Sequence, residues 1–97
     1  MSNRGGVIQM ASTESFSWCV HDEAGLHARP AANLARFAGT LAADIKVSSG
    51  EKCADAKSML AVMAMGVKTG GEVVFEVSGD TAAEDCTALK SYCEANL

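Results

Sequence analysis

No run of apolar residues in this 97-residue chain approaches the roughly 18 that a membrane-spanning helix needs, so direct insertion into a bilayer is not expected. Basic residues are scarce too. Eight Lys and Arg face twelve Asp and Glu, a formal net charge of -4, and no dense basic face is available for nucleic-acid phosphates. None of the four cysteines (Cys19, Cys53, Cys86, Cys93) sits in a C-x-x-C pair or at zinc-ligand spacing from a histidine, so neither a metal nor a cofactor is expected. Internal repeats and low-complexity linkers are absent. The opening MSNRGGVIQM lacks the long apolar stretch and clear cleavage site of a signal peptide, which makes the cytoplasm the expected compartment. There the cysteines should be reduced, mostly as small apolar core residues. What remains is the length of one domain. A chain of this size buries about two-thirds of its unfolded surface, enough for one modest core but not for a deep enclosed active site.

Residues 1–13 are polar and aperiodic and are expected to be disordered, with the folded domain covering 14–97; Met10 is a candidate natural start beside Met1. From Ser15 to His21 the residues alternate, Phe16, Trp18 and Val20 against Ser15, Ser17, Cys19 and His21, which reads as a half-buried strand. A loop over 22–26 leads to a helix over 28–38, with Pro30 in its first turn and Gly39 just past its end. Ala31, Leu34, Ala35 and Ala38 form its apolar stripe. Ile45 and Val47 mark a second strand, Ser48-Ser49-Gly50 a turn, and 51–54 a third strand. A second helix is expected over 59–65, capped by Ser58 and stopped by Gly66. A fourth strand follows over 72–78, with Val73, Phe75 and Val77 inward. The last helix spans 82–96, started by a Thr81–Glu84 capping box, with Cys86, Leu89 and Cys93 buried. The order is βαββαβα. Four antiparallel strands with one wet face and three helices on the other make an open-faced α+β sandwich.

The densest chemistry lies in Gly25-Leu26-His27-Ala28-Arg29-Pro30-Ala31-Ala32. His27 falls where loop becomes helix, beside the unpaired backbone N–H groups of Ala28 and Arg29. A helix N-terminus joins free donors to about half a positive charge, which suits it to an anion such as phosphate. Arg29 adds a guanidinium able to fork onto phosphate oxygens. Imidazole is a nucleophile largely unprotonated near neutral pH. Nucleophile, anion cradle and cation within three residues are what a reversible phosphoramidate requires.

That segment resembles the active-site motif of the histidine-containing phosphocarrier proteins (HPr) of the bacterial phosphoenolpyruvate:sugar phosphotransferase system. A second block, Ala56 to Val67, resembles the family's second-helix segment at the expected distance, and the element order is the family's order, so the likeness covers about 15–97. The resemblance implies a stoichiometric carrier rather than a free-standing enzyme. In that family the histidine matched by His27 takes a phosphoryl group on Nδ1 from enzyme I and hands it to sugar-specific IIA components. Arg29 matches the family's active-centre arginine. Ser58 matches the serine modified in many bacteria by an ATP-dependent HPr kinase/phosphorylase. Ala24 stands where the family often has a polar residue, and any help from that side chain is lost.

Helical spacing pairs Val62 with Met65 as the buried side of the second helix and turns Met59, Leu60 and Met63 outward, where flexible methionines suit several partners. Arg29, Arg36, Lys57 and Lys68 would rim that patch with positive charge for acidic partners. A monomer is expected. The competing reading is a regulatory HPr paralogue of a nitrogen-related or catabolite-control pathway, acting by phosphorylation-dependent binding.

Overall fold

The alternating segment at the start of the domain forms β1 (Ser12–Cys19), longer at its front than its apolar residues indicate. Ser12 and Thr13 are polar, yet they pair with Gly79 and Ser78 across the sheet, so the ladder extends beyond the apolar alternation. Both had been expected in a disordered extension. The strand also stops at Cys19, two residues early, because the N–H groups of His21 and Asp22 turn away to the carbonyl of Leu97. The computed structural model describes residues 12–23 and 25–97. The remainder of the proposed extension, the choice between Met1 and Met10, and Ala24 lie outside the described residues.

The remaining elements are α1 (Ala28–Gly39), β2 (Asp44–Ser49), β3 (Lys52–Asp55), α2 (Met59–Ala64), β4 (Glu72–Gly79) and α3 (Ala82–Asn96). The strands form one antiparallel sheet in the order β1-β4-β2-β3. Along β4 the burial alternates strictly: Val73, Phe75 and Val77 are fully buried while Glu72, Val74 and Glu76 are exposed. Period-two patterning thus gives the sheet one apolar face, and the three helices cover it. From α1 come Pro30, Ala31, Leu34 and Ala38, from α2 Val62, and from α3 Ala82, Leu89 and Cys93. Phe16 stacks on Phe75 with centroids 5.2 Å apart, and Phe37 of α1 stacks on Tyr92 of α3 at 4.5 Å. Phe75, fully buried, contributes about 1.5–3 kcal/mol, and the half-buried Phe16, Phe37 and Tyr92 contribute less.

Several boundaries move by a residue. The first helix runs through Gly39 and closes on Thr40, whose N–H bonds the Phe37 carbonyl at 2.9 Å. The third strand starts at Lys52 because Gly50, at φ +62°, completes the turn first. The second helix ends at Ala64 rather than Met65, followed by Gly66 at φ +66°. The Thr81–Glu84 capping box does not form. Thr81 sits at φ -107°, ψ 22°, without a cap bond, and its hydroxyl donates instead to Asp85 Oδ2 at 2.7 Å. That same carboxylate oxygen accepts the N–H of Ala43 at 2.9 Å, pinning the start of α3 to the segment before β2. The cysteines are all free, but Cys93 alone is buried: Cys86 is half-buried, and Cys19 and Cys53 are exposed on alternate positions of the wet sheet face.

Candidate functional site

The described residues between Val20 and His27 have no regular structure of their own, and neighbouring chain holds them from two sides. Val20 exchanges hydrogen bonds with the turn after α2, its N–H to Gly71 O at 2.9 Å and its carbonyl from Gly70 N at 2.8 Å. The Leu97 carbonyl accepts from His21 N and, at 3.0 Å, from Asp22 N. Gly25 N then turns back to Asp22 O at 2.9 Å, and Leu26 N donates to Val67 O at 2.9 Å. That last bond joins the exit of α2 to the entrance of α1. Gly25 is at φ +64°, and a Cβ there would stand 2.5 Å from Val67 O and 2.8 Å from Lys68 Cα. Only a residue without a side chain lets the two backbones touch.

His27 emerges from this clamp as the N-cap of α1, extended at φ -83°, ψ -160°, its carbonyl accepting from Ala31 N at 2.9 Å. Its imidazole is exposed and makes no cap hydrogen bond. Pro30 has no N–H to leave unpaired, whereas the N–H groups of Ala28 and Arg29 find no acceptor among the described residues. Arg29 is likewise exposed and without a bonded partner among them. An accessible nucleophile therefore stands with unspent donors, a positive helix end and a free guanidinium. A groove of about 520 Å³ across β2, β3 and β4 lies elsewhere, lined by Asp44, Lys46, Asp55 and Glu76 among others.

Ser58 is the N-cap of α2, with its Oγ accepting from Ala61 N at 3.3 Å. Val62 and Met65 are the buried pair, Met59 and Leu60 are 37% and 74% exposed, and Met63 is half-buried. The basic rim is thinner than the sequence suggests. Lys57 is half-buried and its Nζ donates to the Leu41 carbonyl at 3.0 Å, so it ties α2 to the α1–β2 loop instead of lying free. Arg36 is exposed, with Nη1 on Asn33 Oδ1 at 3.3 Å, along a groove shared with Phe37 and Tyr92. Lys68 is exposed. Sequence reasoning missed Thr69, whose Oγ1 reaches the carbonyls of Asp22 and Glu23 at 2.7 and 2.9 Å. No local pattern marks it, since its partners lie more than forty residues back.

A family model for the phosphotransferase-system HPr component phosphorylation site matches residues 14–95. The chain belongs to the HPr family. It is 40% identical over 75 residues to phosphocarrier protein HPr of Mycoplasma capricolum, spanning 77% of this chain and 84% of that protein. Its fold superposes on the crystal structure of HPr-C-His from Thermoanaerobacter tengcongensis with a TM-score of 0.80 at 31% identity, over 86% of this chain and 93% of that one. It also matches, at 35% identity over 82 residues, 10% of the length of a multiphosphoryl transfer protein of Xanthomonas campestris. As an HPr-family member the chain is a phosphocarrier of the phosphotransferase system. No helix among the described residues is long and apolar enough to cross a membrane.

Proposed function

We propose that this chain carries a phosphoryl group on Nδ1 of His27, taking it from enzyme I in the cytoplasm and passing it to IIA components of sugar permeases. The observation that carries the reading is an exposed N-cap imidazole with no cap bond, followed by two N–H groups and an Arg29 guanidinium that have no partner among the described residues. The Nδ1 lone pair forms a bond to phosphorus as the donor's bond to the same phosphorus breaks and the donor keeps that electron pair. The reverse step delivers the group onward and regenerates His27. Ala28 and Arg29 N–H groups would receive phosphoryl oxygens, and the Arg29 fork would spread the developing charge. No enclosed pocket is needed, because partner protein and carrier together cover the reacting atoms. The similarity to part of a multiphosphoryl transfer protein supports phosphoryl-transfer partners.

The exposed Met59 and Leu60, half-buried Met63, and basic Arg36 and Lys68 form the proposed docking surface for these partners. Ser58 at the start of α2 is the proposed regulatory site for an HPr kinase/phosphorylase. A phosphate there adds about -1.5 to -2 charges beside the apolar patch. The carrier acts as a monomer in this reading. Reconstitution tests the relay: labelled phosphoenolpyruvate, enzyme I, this chain and a IIA protein are combined, and label should reach IIA only when the chain is present. Label on IIA without the chain, or none with it, refutes the proposal.

A further inference from the structure

We propose that Thr69 is a positioning residue for phosphoryl transfer, its hydroxyl acting as a clamp that fixes the loop from which His27 emerges. The inference rests on His27 being the acceptor. Of the ties that hold residues 20–27, those made by Leu97, Val67, Gly70 and Gly71 run from main chain to main chain. Thr69 contributes a side chain. Its Oγ1 proton is shared between the carbonyls of Asp22 and Glu23, at 2.7 and 2.9 Å. The Asp22 carbonyl also accepts Gly25 N at 2.9 Å, so the hydroxyl sits at the turn that lays Gly25 flat against Val67 and Lys68. From that contact follow the Leu26–Val67 hydrogen bond, the burial of Leu26 to 1% exposure, and the extended backbone of His27.

Two physical consequences join the clamp to the chemistry. A nucleophile that is already oriented spends no conformational entropy on reaching its attacking geometry. Carbonyl oxygens also carry partial negative charge, and a peptide group released from Thr69 can rotate an oxygen toward an incoming anionic phosphoryl group. The Asp22 oxygen is also held by Gly25 N, so it is the Glu23 oxygen that the Thr69 hydroxyl keeps turned onto itself. Because the hydroxyl is exposed, its loss costs what an ordinary solvent-facing hydrogen bond is worth, about three- to tenfold in rate. The docking residues Met59, Leu60 and Met63 on α2 make none of the clamp's hydrogen bonds, and the Lys68 side chain is unchanged by substitution at Thr69.

The test measures phosphoryl uptake from phosphorylated enzyme I by rapid quench, for the wild-type chain, Thr69→Val and Thr69→Ser, with hydrogen exchange of the Leu26 amide in each. Thr69→Val, nearly isosteric, should lower the maximal rate about three- to tenfold with KM for the carrier unchanged, and should speed Leu26 exchange. Thr69→Ser, which restores the hydroxyl, should recover both. A wild-type maximal rate in Thr69→Val, a change confined to KM, or a loss that serine does not rescue each overturns the clamp while label on His27 keeps the acceptor reading. A wild-type chain without label on His27 removes both.

Discussion

Replacing Gly25 with alanine sets the loop clamp against a measurable cost. Two penalties add. The backbone at φ +64° is left-handed, which costs a residue with a Cβ about 1–2 kcal/mol. The new methyl would also stand 2.5 Å from Val67 O and 2.8 Å from Lys68 Cα, both main-chain atoms that cannot rotate aside. Forcing such a contact apart costs about 1–3 kcal/mol more. Gly50 supplies the control: it has nearly the same φ, +62°, but nothing within 4 Å of its would-be Cβ. Gly50→Ala should therefore lose only the conformational part, a Tm fall of about 4–16 °C for a domain of this size. Gly25→Ala should fall further and, because the loop must back away from Val67, lose most of its phosphoryl uptake. Gly50→Ala should transfer at the wild-type rate. Thermal unfolding by circular dichroism and uptake of label from enzyme I read the two effects separately. If Gly25→Ala is no less stable than Gly50→Ala and transfers as fast, the close approach at Val67 does not hold His27 in place.

Other substitutions separate cap, charge and burial. Ser58→Ala should cost about 0.5–1 kcal/mol, since its cap bond to Ala61 is long at 3.3 Å, and leave uptake intact. Ser58→Asp should keep the Tm, because a carboxylate suits a helix start, yet slow uptake by placing charge beside Met59 and Leu60; wild-type uptake by Ser58→Asp leaves Ser58 a cap and nothing more. Arg29→Ala should slow transfer about tenfold or more while moving the Tm little, as the side chain is exposed and unbonded among the described residues; unchanged kinetics in both directions exclude its role. Burial pushes the Cys93 thiol up to about 12, so at pH 8 it stays protonated and resists alkylation while exposed Cys19 and Cys53 react. Cys93 modified in the folded protein as fast as Cys53 would contradict its placement.

Local signals carried far in this chain. Pro30, Gly66 and Ser58 mark helix ends because each acts through its own backbone or its nearest N–H groups, and the structure uses all three as read. Alternation in 72–78 identified the inward Val73, Phe75 and Val77 for the same reason. The failures have a common physical origin. Thr81 looked like half of a capping box, but the Ala43 N–H on Asp85 offered a tertiary partner that local sequence does not contain. Ser12 and Thr13 looked disordered because their partners, Gly79 and Ser78, lie at the other end of the chain. Lys57 looked free until the Leu41 carbonyl accepted its ammonium. At the site, His27 and its flanking donors are contiguous and were legible. The Thr69 hydroxyl, the Val67 carbonyl and the Leu97 carbonyl that hold the loop arrive by folding alone.

The most direct measurement is the identity of the phosphorylated atom. The chain has two histidines, His21 and His27, so the experiment contains its own control. After incubation with phosphoenolpyruvate and enzyme I, the intact mass should rise by one acid-labile phosphoryl group. Imidazole resonances in a ¹H–¹⁵N long-range correlation spectrum should then move for His27 at Nδ1 and stay in place for His21, and His27→Ala should accept no label while keeping its fold. Label on His21, or on His27→Ala, would contradict the account.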